Sequence, residues 1–194
     1  MYKLITISDT IRVPPERMNL DVDEAVLKSA ADKYEGLLDN RIGVVVAVTS
    51  VDNVGDGKIM ANDPGVHYKS QFKILIFKPE PQELLHGEVV DNAEFGAFIR
   101  VGPLDGLVHI SQIMDDFISY NNKTATFYGK ESKRSLKEGD LVRARVVSVS
   151  FGKTETNKIG LTMRQTGLGA VHWIEAEKKK TIRTETKEVK KEKK

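Results

Sequence analysis

The stretch EFGAFIRVGPLDGLVHIS, residues 94–111, carries two phenylalanines, one histidine and three glycines inside a strand-like run. Strand side chains alternate between two faces, so parity sorts them. Ala97, Ile99 and Val101 share one face and are all apolar. Phe98 shares the other with Arg100, and an arginine is almost never fully buried without a partner. In the next run Val108 and Ile110 make the apolar set, opposite Leu107, His109 and Ser111. Phe98 and His109 are therefore expected to face outward. Phe95 has the wrong parity to join them unless Gly96 marks a β-bulge, which shifts parity by one. The alternative is that Phe95 is a core residue at the rim and His109 packs on Leu107.

The same alternation continues downstream. In DLVRARVVSVS (140–150) Val142, Ala144 and Val146 oppose Arg143 and Arg145; in KIGLTMRQ (158–165) Ile159, Leu161 and Met163 oppose Lys158, Thr162 and Arg164. With GEVVDNAE (87–94), five short strands separated by glycine, asparagine or proline breaks suggest a small closed barrel, and the oligonucleotide-binding barrel is the common five-stranded solution. Its outer face would hold aromatics, a histidine and cations. Single-stranded nucleic acid needs that combination, because bases stack on rings and phosphates require positive charge. The expected RNA-binding residues are Phe95, Phe98, Arg100, His109, Arg143, Arg145 and Lys158. Between the third and fourth strands, residues 114–139 are polar and broken, a length uncommon without a function or a short helix of their own.

Before the barrel, KPEPQ (78–82) has two prolines two apart and reads as a linker. The half that precedes it opens with YKLITISDTIRV, a strand ended by Pro14 and Pro15. Val22, Val26, Leu27, Ala30, Tyr34 and Leu37 then recur at helical spacing, with Asp21 or Asp23 available as N-cap. The β-branched run RIGVVVAVTSV (41–51) resembles a strand buried on both faces, VGDGK (54–58) supplies glycines for a turn, and VHYKSQFKILIF (66–77) is a second long strand. The expectation is an α+β domain, one helix on a small antiparallel sheet, over 1–79, and an all-β barrel over 80–175.

Charge is unevenly spread. Residues 1–79 hold 10 Lys+Arg against 11 Asp+Glu, residues 80–175 hold 11 against 13, and residues 176–194 hold 9 against 4. The basic excess belongs to the tail, which is too polar to bury anything and is expected to fray from a final helix into a flexible segment. No apolar run approaches the roughly 18 residues of a membrane span, and MYKLITISDT lacks the features of a signal peptide. The expected location is the cytoplasm. With no cysteine, disulfides, thiolate zinc sites and cysteine nucleophiles are excluded.

A nuclease would need a metal cluster or a paired acid and base. Asp115 and Asp116 are adjacent and Asp105 lies near His109, but adjacent residues point apart, and no His-x-x-x-His spacing supports them. His67, His86 and His172 stand alone, GDGK without the preceding spacing is weak as a phosphate loop, and Trp173 reads as an anchor for the C-terminal segment. No catalytic residue, metal or cofactor is implied.

Gly87-Glu88-Val89-Val90, Phe95-Gly96-Ala97-Phe98, Gly106-Leu107-Val108-His109-Ile110-Ser111, Gly139-Asp140 and Ile159-Gly160-Leu161-Thr162-Met163 together resemble the S-one RNA-binding domain. That resemblance implies RNA binding through Phe95, Phe98 and His109, with the family's aspartate and basic residue falling near Ser150 and Lys158. Over residues 1 to about 175, MYKL with IRVPPE, KYEG, VGDGK, GPLDGLVHISQIMDD, YGKESK, GDLVRARVVSVS and LTMRQ look like the archaeal E-prime family of DNA-directed RNA polymerase subunits, counterparts of the seventh subunit of eukaryotic RNA polymerase II. The resemblance implies a non-catalytic subunit whose first half docks on the polymerase core, whose partner in a heterodimer is the smaller F subunit, and whose barrel meets emerging single-stranded RNA. Pro14, Pro15, Gly55, Asp56 and Gly57 are the candidates for core contact. A free-standing RNA adaptor of exosome or translation machinery is the alternative.

Overall fold

The computed structural model describes residues 1–151 and 158–179, except the side chain of Lys158. The chain divides into two units, Met1–Pro79 and Glu80–Lys194. Residues 152–157 and the tail from residue 180 lie outside the described residues.

In the first unit β1 (Tyr2–Val13) stops at Pro14, and α1 (Val22–Tyr34), β2 (Leu38–Asp39), β3 (Gly43–Ile59) and β4 (Val66–Phe77) follow. The sheet is antiparallel in the order β1-β4-β3-β2. Helix α1 covers one face, burying Ala25, Val26 and Ala30 among Ile11, Val13, Val45, Phe72, Ile74 and Ile76. Val22 and Leu37, expected on the same stripe, remain exposed. The helix ends before Leu37, where Gly36 adopts φ +79° and its N–H donates to the Val45 carbonyl. Near the helix C-terminus the Tyr34 ring packs 5.3 Å from Phe72, while its hydroxyl and the Lys33 ammonium both bond Asp9. Burial raises the Asp9 pKa, but those hydrogen bonds together outweigh it, so the carboxyl sits below its usual range.

Strand β3 corrects the expectation of a segment buried on both faces. Along β4 the residues facing the helix recur every second position, and they pair as Ile76 with Val45, Ile74 with Val48, Phe72 with Val51 and Ser70 with Val54. The valines of β3 are therefore spaced by three. Register shifts after Val45, Val48, Val51 and Val54 insert one extra residue or more at each step, and such bulges increase strand twist. Val48, Val51 and Val54 are only partly buried against the helix core. Gly55, Asp56 and Gly57 do not form a turn: they lie within β3, beside its last register shift, and the chain turns at residues 60–65.

The second unit contains β5 (Leu84–Ala93), β6 (Gly96–Val101), β7 (Leu104–His109), β8 (Ile118–Asn121), β9 (Thr126–Gly129), β10 (Ser135–Leu136), β11 (Leu141–Ser150), β12 (Lys158–Thr162) and β13 (Gly169–Ala170). A second helix, α2, covers the described residues 171–179. The order β12-β7-β6-β5-β11-β13, with β12 also paired to β11, closes five strands into a barrel; β12 runs parallel to β7 and the other pairings are antiparallel. The inward set is Leu85, Val89, Ala97, Ile99, Val101, Val108, Val142, Ala144, Val146, Ile159 and Leu161, all buried. Each fully buried Val, Leu or Ile side chain contributes about 1.5–3 kcal/mol. The long polar segment after β7 is not a loop with a helix but a three-stranded antiparallel sheet, β10-β9-β8. Trp173 of α2 anchors the end of the chain, donating from Nε1 to the Ser135 carbonyl at 3.2 Å with the Arg134 guanidinium over its ring.

Candidate nucleic-acid interface

The β5–β6 hairpin decides the position of Phe95. Ala93 pairs with Gly96, so Glu94 and Phe95 are the two turn residues, and Phe95 belongs to neither strand. Pairing of β6 with β7 runs without interruption from Gly96–His109 to Val101–Leu104. No bulge exists at Gly96. The hairpin's register shift lies instead between Val89 and Asp91, on β5. What Gly96 supplies is closeness: a Cβ there would lie 2.3 Å from the Val108 carbonyl oxygen and 3.1 Å from the His109 Cα. That approach, with the Ile110 N–H donating to the Phe95 carbonyl at 3.0 Å, draws the turn onto the end of β7.

Two rings meet at this corner, with His109 beside them on the same face. Phe95 is 53% exposed, and its ring stands edge-on to Phe98 with centroids 5.9 Å apart. Phe98 pairs with Leu107, two residues before His109, so Phe98 and His109 are diagonal neighbours on one face. Phe98 is half-buried and His109 exposed, while Ala97, Ile99 and Val108 fill the barrel. His109 Nδ1 accepts the Ser111 N–H at 3.3 Å and contacts Ser111 Oγ at 2.9 Å. An accepting Nδ1 leaves Nε2 as the N–H donor of the neutral ring.

The cations are less uniform than parity alone implies. Arg100 is exposed at the opposite end of β6 and bonds Asp105 at 3.1 Å, so its charge is already met. Arg143 lies between His86 of β5 and Gly169 of β13, away from the rings. Arg145 pairs with Thr162 of β12, and Met163 N–H donates to Gln112 just beyond His109. A cleft of about 530 Å³ opens there, its lining including Gln112, Arg145, Thr162 and the ion pair of Arg164 with Asp115. Arg145 lines this cleft, and its Nε is buried with no hydrogen-bond partner among the described residues. Thr162, expected to face outward, pairs with Arg145 and lines this cleft, yet is buried, because Gln112 covers it and accepts from its hydroxyl at 2.8 Å. The Lys158 side chain lies outside the described residues, as does most of the connection before it.

The acids that a nuclease would enlist have separate tasks. Asp105 holds Arg100, Asp115 holds Arg164, and Asp116 accepts from the Ser132 N–H and hydroxyl and the Glu131 N–H, which keep its carboxyl below its usual range. Among the described residues no group of three His, Asp or Glu can hold a metal ion, and no helix is long and apolar enough to cross a membrane.

In the first unit Pro14 and Pro15 follow β1 at the end of the sheet where Val13 pairs with Val66, itself paired with Ile59. Ile59 and Met60, at the tip of the β3–β4 hairpin, are 77% and 53% exposed; sequence reasoning missed them, although an apolar pair ahead of Asn62-Asp63-Pro64-Gly65 was a usable signal. The tip is fastened by Asp63. Arg12 bonds it from Nε and Nη2 at 2.7–3.0 Å, Gly65 N–H donates at 2.9 Å and His67 Nε2 lies at 2.8 Å. The Arg12 guanidinium, then Gly65 and His67, hold the Asp63 carboxyl far below the usual carboxylate range. Gly57 leaves space for Tyr68, whose ring would lie 2.8 Å from a Cβ there.

Residues 8–64 match the model of the SHS2 domain found in the N terminus of Rpb7p/Rpc25p/MJ0397, and residues 78–164 match the S1 RNA binding domain. The DNA-directed RNA polymerase subunit Rpo7 of Saccharolobus shibatae is 37% identical over 92% of this chain and 100% of its own length. That of Sulfolobus acidocaldarius is 35% identical over 91% and 97%. The DNA-directed RNA polymerase II subunit rpb7 of Dictyostelium discoideum is 24% identical over 88% and 99%. Matched over 91–92% of its length by proteins of that name, and carrying the two domains in this order, the chain belongs to the Rpo7 family of DNA-directed RNA polymerase subunits.

Proposed function

We propose that this chain is a non-catalytic stalk subunit of DNA-directed RNA polymerase, working in the cytoplasm. Its first unit docks on the polymerase core together with the smaller F subunit, and its barrel binds single-stranded RNA leaving the enzyme. The corner formed by Phe95, Phe98 and His109 carries the RNA reading: two rings and an N–H donor stand outside the packed barrel, with Arg145 lining a cleft two strands away. Arg100, Arg143 and Lys158 are the further cations assigned to phosphates. The docking reading is supported by the exposed Ile59 and Met60 at the hairpin tip, with Pro14 and Pro15 at the same end of the sheet and Gly55, Asp56 and Gly57 leading to it.

Pull-down with the tagged protein from its native cells tests the assembly: the polymerase core and the F subunit should be recovered. Recovery of exosome or ribosomal components without polymerase core overturns the proposal. For the RNA face, Phe98→Ala and His109→Ala should each weaken binding of a single-stranded oligonucleotide roughly 5- to 100-fold, the loss of one stacked base, with Tm nearly unchanged. A large fall in Tm with unchanged affinity assigns these residues to packing instead.

A further inference from the structure

The β8–β10 insertion has an outer face that the barrel reading leaves unused. Its inner side chains are committed: Phe127 and Leu136 are fully buried, and Tyr120 packs 5.0 Å from Phe127. Tyr120 Oη also donates to the Asn92 carbonyl at 2.6 Å, and Asn92 Nδ2 donates to the Ala125 carbonyl at 2.9 Å. Asn92, itself buried, thereby pins the insertion to the hairpin that carries Phe95.

On the outer face Tyr128 sits in the middle strand, opposite Ser119 on one side and Ser135 on the other. Lys130 N–H donates to the Phe117 carbonyl, which makes Phe117 and Lys130 the next pair along. Phe117 is 72% exposed and Tyr128 50%. They are diagonal neighbours, a separation of about 7–8 Å between such positions, and among the described residues neither ring lies against another aromatic ring. Lys123, Lys130, Lys133 and Lys137 are exposed, and none forms an ion pair with a described residue. Residues 117–137 hold five Lys and Arg against one acid, inside a stretch, 80–175, where acids outnumber cations 13 to 11. Five of the eleven cations of this half thus lie within these 21 residues.

We propose that the outer face of the insertion sheet is a second platform for single-stranded RNA, with Phe117 and Tyr128 each stacking a base and Lys123, Lys130 and Lys137 meeting the backbone phosphates. Lysine is depleted from protein–protein interfaces while aromatics are enriched, so isolated rings set among serines and unpaired lysines fit a polyanion better than a protein. The inference rests on the barrel half being an RNA-binding unit, but it concerns a different face. Because Asn92 joins the insertion to the hairpin, one strand long enough to reach both platforms gains from each.

The test uses the full chain and fluorescence anisotropy with a labelled oligouridylate of about 20 nucleotides, longer than the roughly 4–16 that one barrel occupies. Phe117→Ala with Tyr128→Ala should weaken binding at least about tenfold, leave Tm unchanged, and add to the loss caused by Phe98→Ala. Affinity within about twofold of the parent overturns the proposal, whether or not the F subunit is then lost from pull-downs, since that second result identifies a protein surface. Should the double variant melt early, Phe117→Trp with Tyr128→Phe keeps both rings and must restore affinity; failure to do so also overturns it. Loss at Phe117 and Tyr128 with none at Phe98 or His109 supports this platform and defeats the barrel corner, and the reverse pattern defeats this platform alone.

Discussion

The two units use a sheet in opposite ways. In the first, an open sheet lies under one helix, so hydrophobic side chains pack in a single layer and β3 meets its partner only by slipping register four times. In the second, the sheet closes on itself, the interior is complete without a covering helix, and β6 and β7 pair without a break. Closure leaves the corner of β6 and β7 free to display rings outside the core. The open sheet instead offers one far-reaching feature, the twisted hairpin with Ile59 and Met60 at its tip. Function follows the geometry: a closed barrel presents a face, and a bulged ribbon presents a point.

The largest effect that tests this contrast is core truncation. Ile99→Ala empties a site inside the barrel and should cost about 2–5 kcal/mol; Val51→Ala, on the half-buried row of β3, should cost about 1 kcal/mol. Equal losses in chemical denaturation break the contrast. Next comes a pair of glycines. Gly96→Ala forces a methyl against the Val108 carbonyl, costs about 1–3 kcal/mol, and weakens RNA binding because Phe95 and His109 must part. Gly36→Ala, strained at φ +79° but in open space, should cost about 1–2 kcal/mol and leave RNA affinity alone.

Smaller still is the difference between two arginines. Arg145→Gln should lower the slope of log affinity against log salt by about 0.7, the value for one single-stranded phosphate. Arg100→Gln should change it less, since Asp105 already meets that charge; identical slopes count against the Arg145 cleft. The smallest effect is acid sensitivity at the hairpin tip. Asp63 is depressed in the folded protein, so its contribution is present above about pH 4, the unfolded value, and is lost as pH falls toward the folded one. Carboxylate NMR should find it protonating well below an ordinary aspartate, with Arg12→Ala raising its midpoint. An ordinary midpoint in the parent protein discards the clamp.

Much of the fold was legible because strand alternation depends only on burial of one face. Parity alone assigned Ala97, Ile99, Val108, Val142, Ala144, Val146, Ile159 and Leu161 to the barrel interior, where they are buried. It failed where the backbone departs from period two. Valines at 45, 48 and 51 read as part of one continuous apolar run, and Val54 as the start of a turn, because a bulge per step is invisible without the partner strand. Thr162 keeps the face of Arg145 but is buried there, because Gln112, 50 positions away in sequence, bonds and covers it. The β8–β10 sheet hid in a polar segment because its strands are short and bury only Phe127, Leu136 and their neighbours.

For the candidate site the division is sharpest at Gly96. The sequence by itself placed Phe98 outside the core, since no alternating strand buries Arg100 beside it, put His109 on the face opposite Val108, and divided the chain into two domains of different grammar. Tertiary structure alone decided how Phe95 joins them. A two-residue turn releases Phe95 from strand parity, and the contact of Gly96 with Val108 and His109 brings it to their corner. It also decided which cations are spent on neighbours and which remain open. Hydrogen-bond partners and close approaches are set between segments distant in sequence, and local pattern holds no record of them.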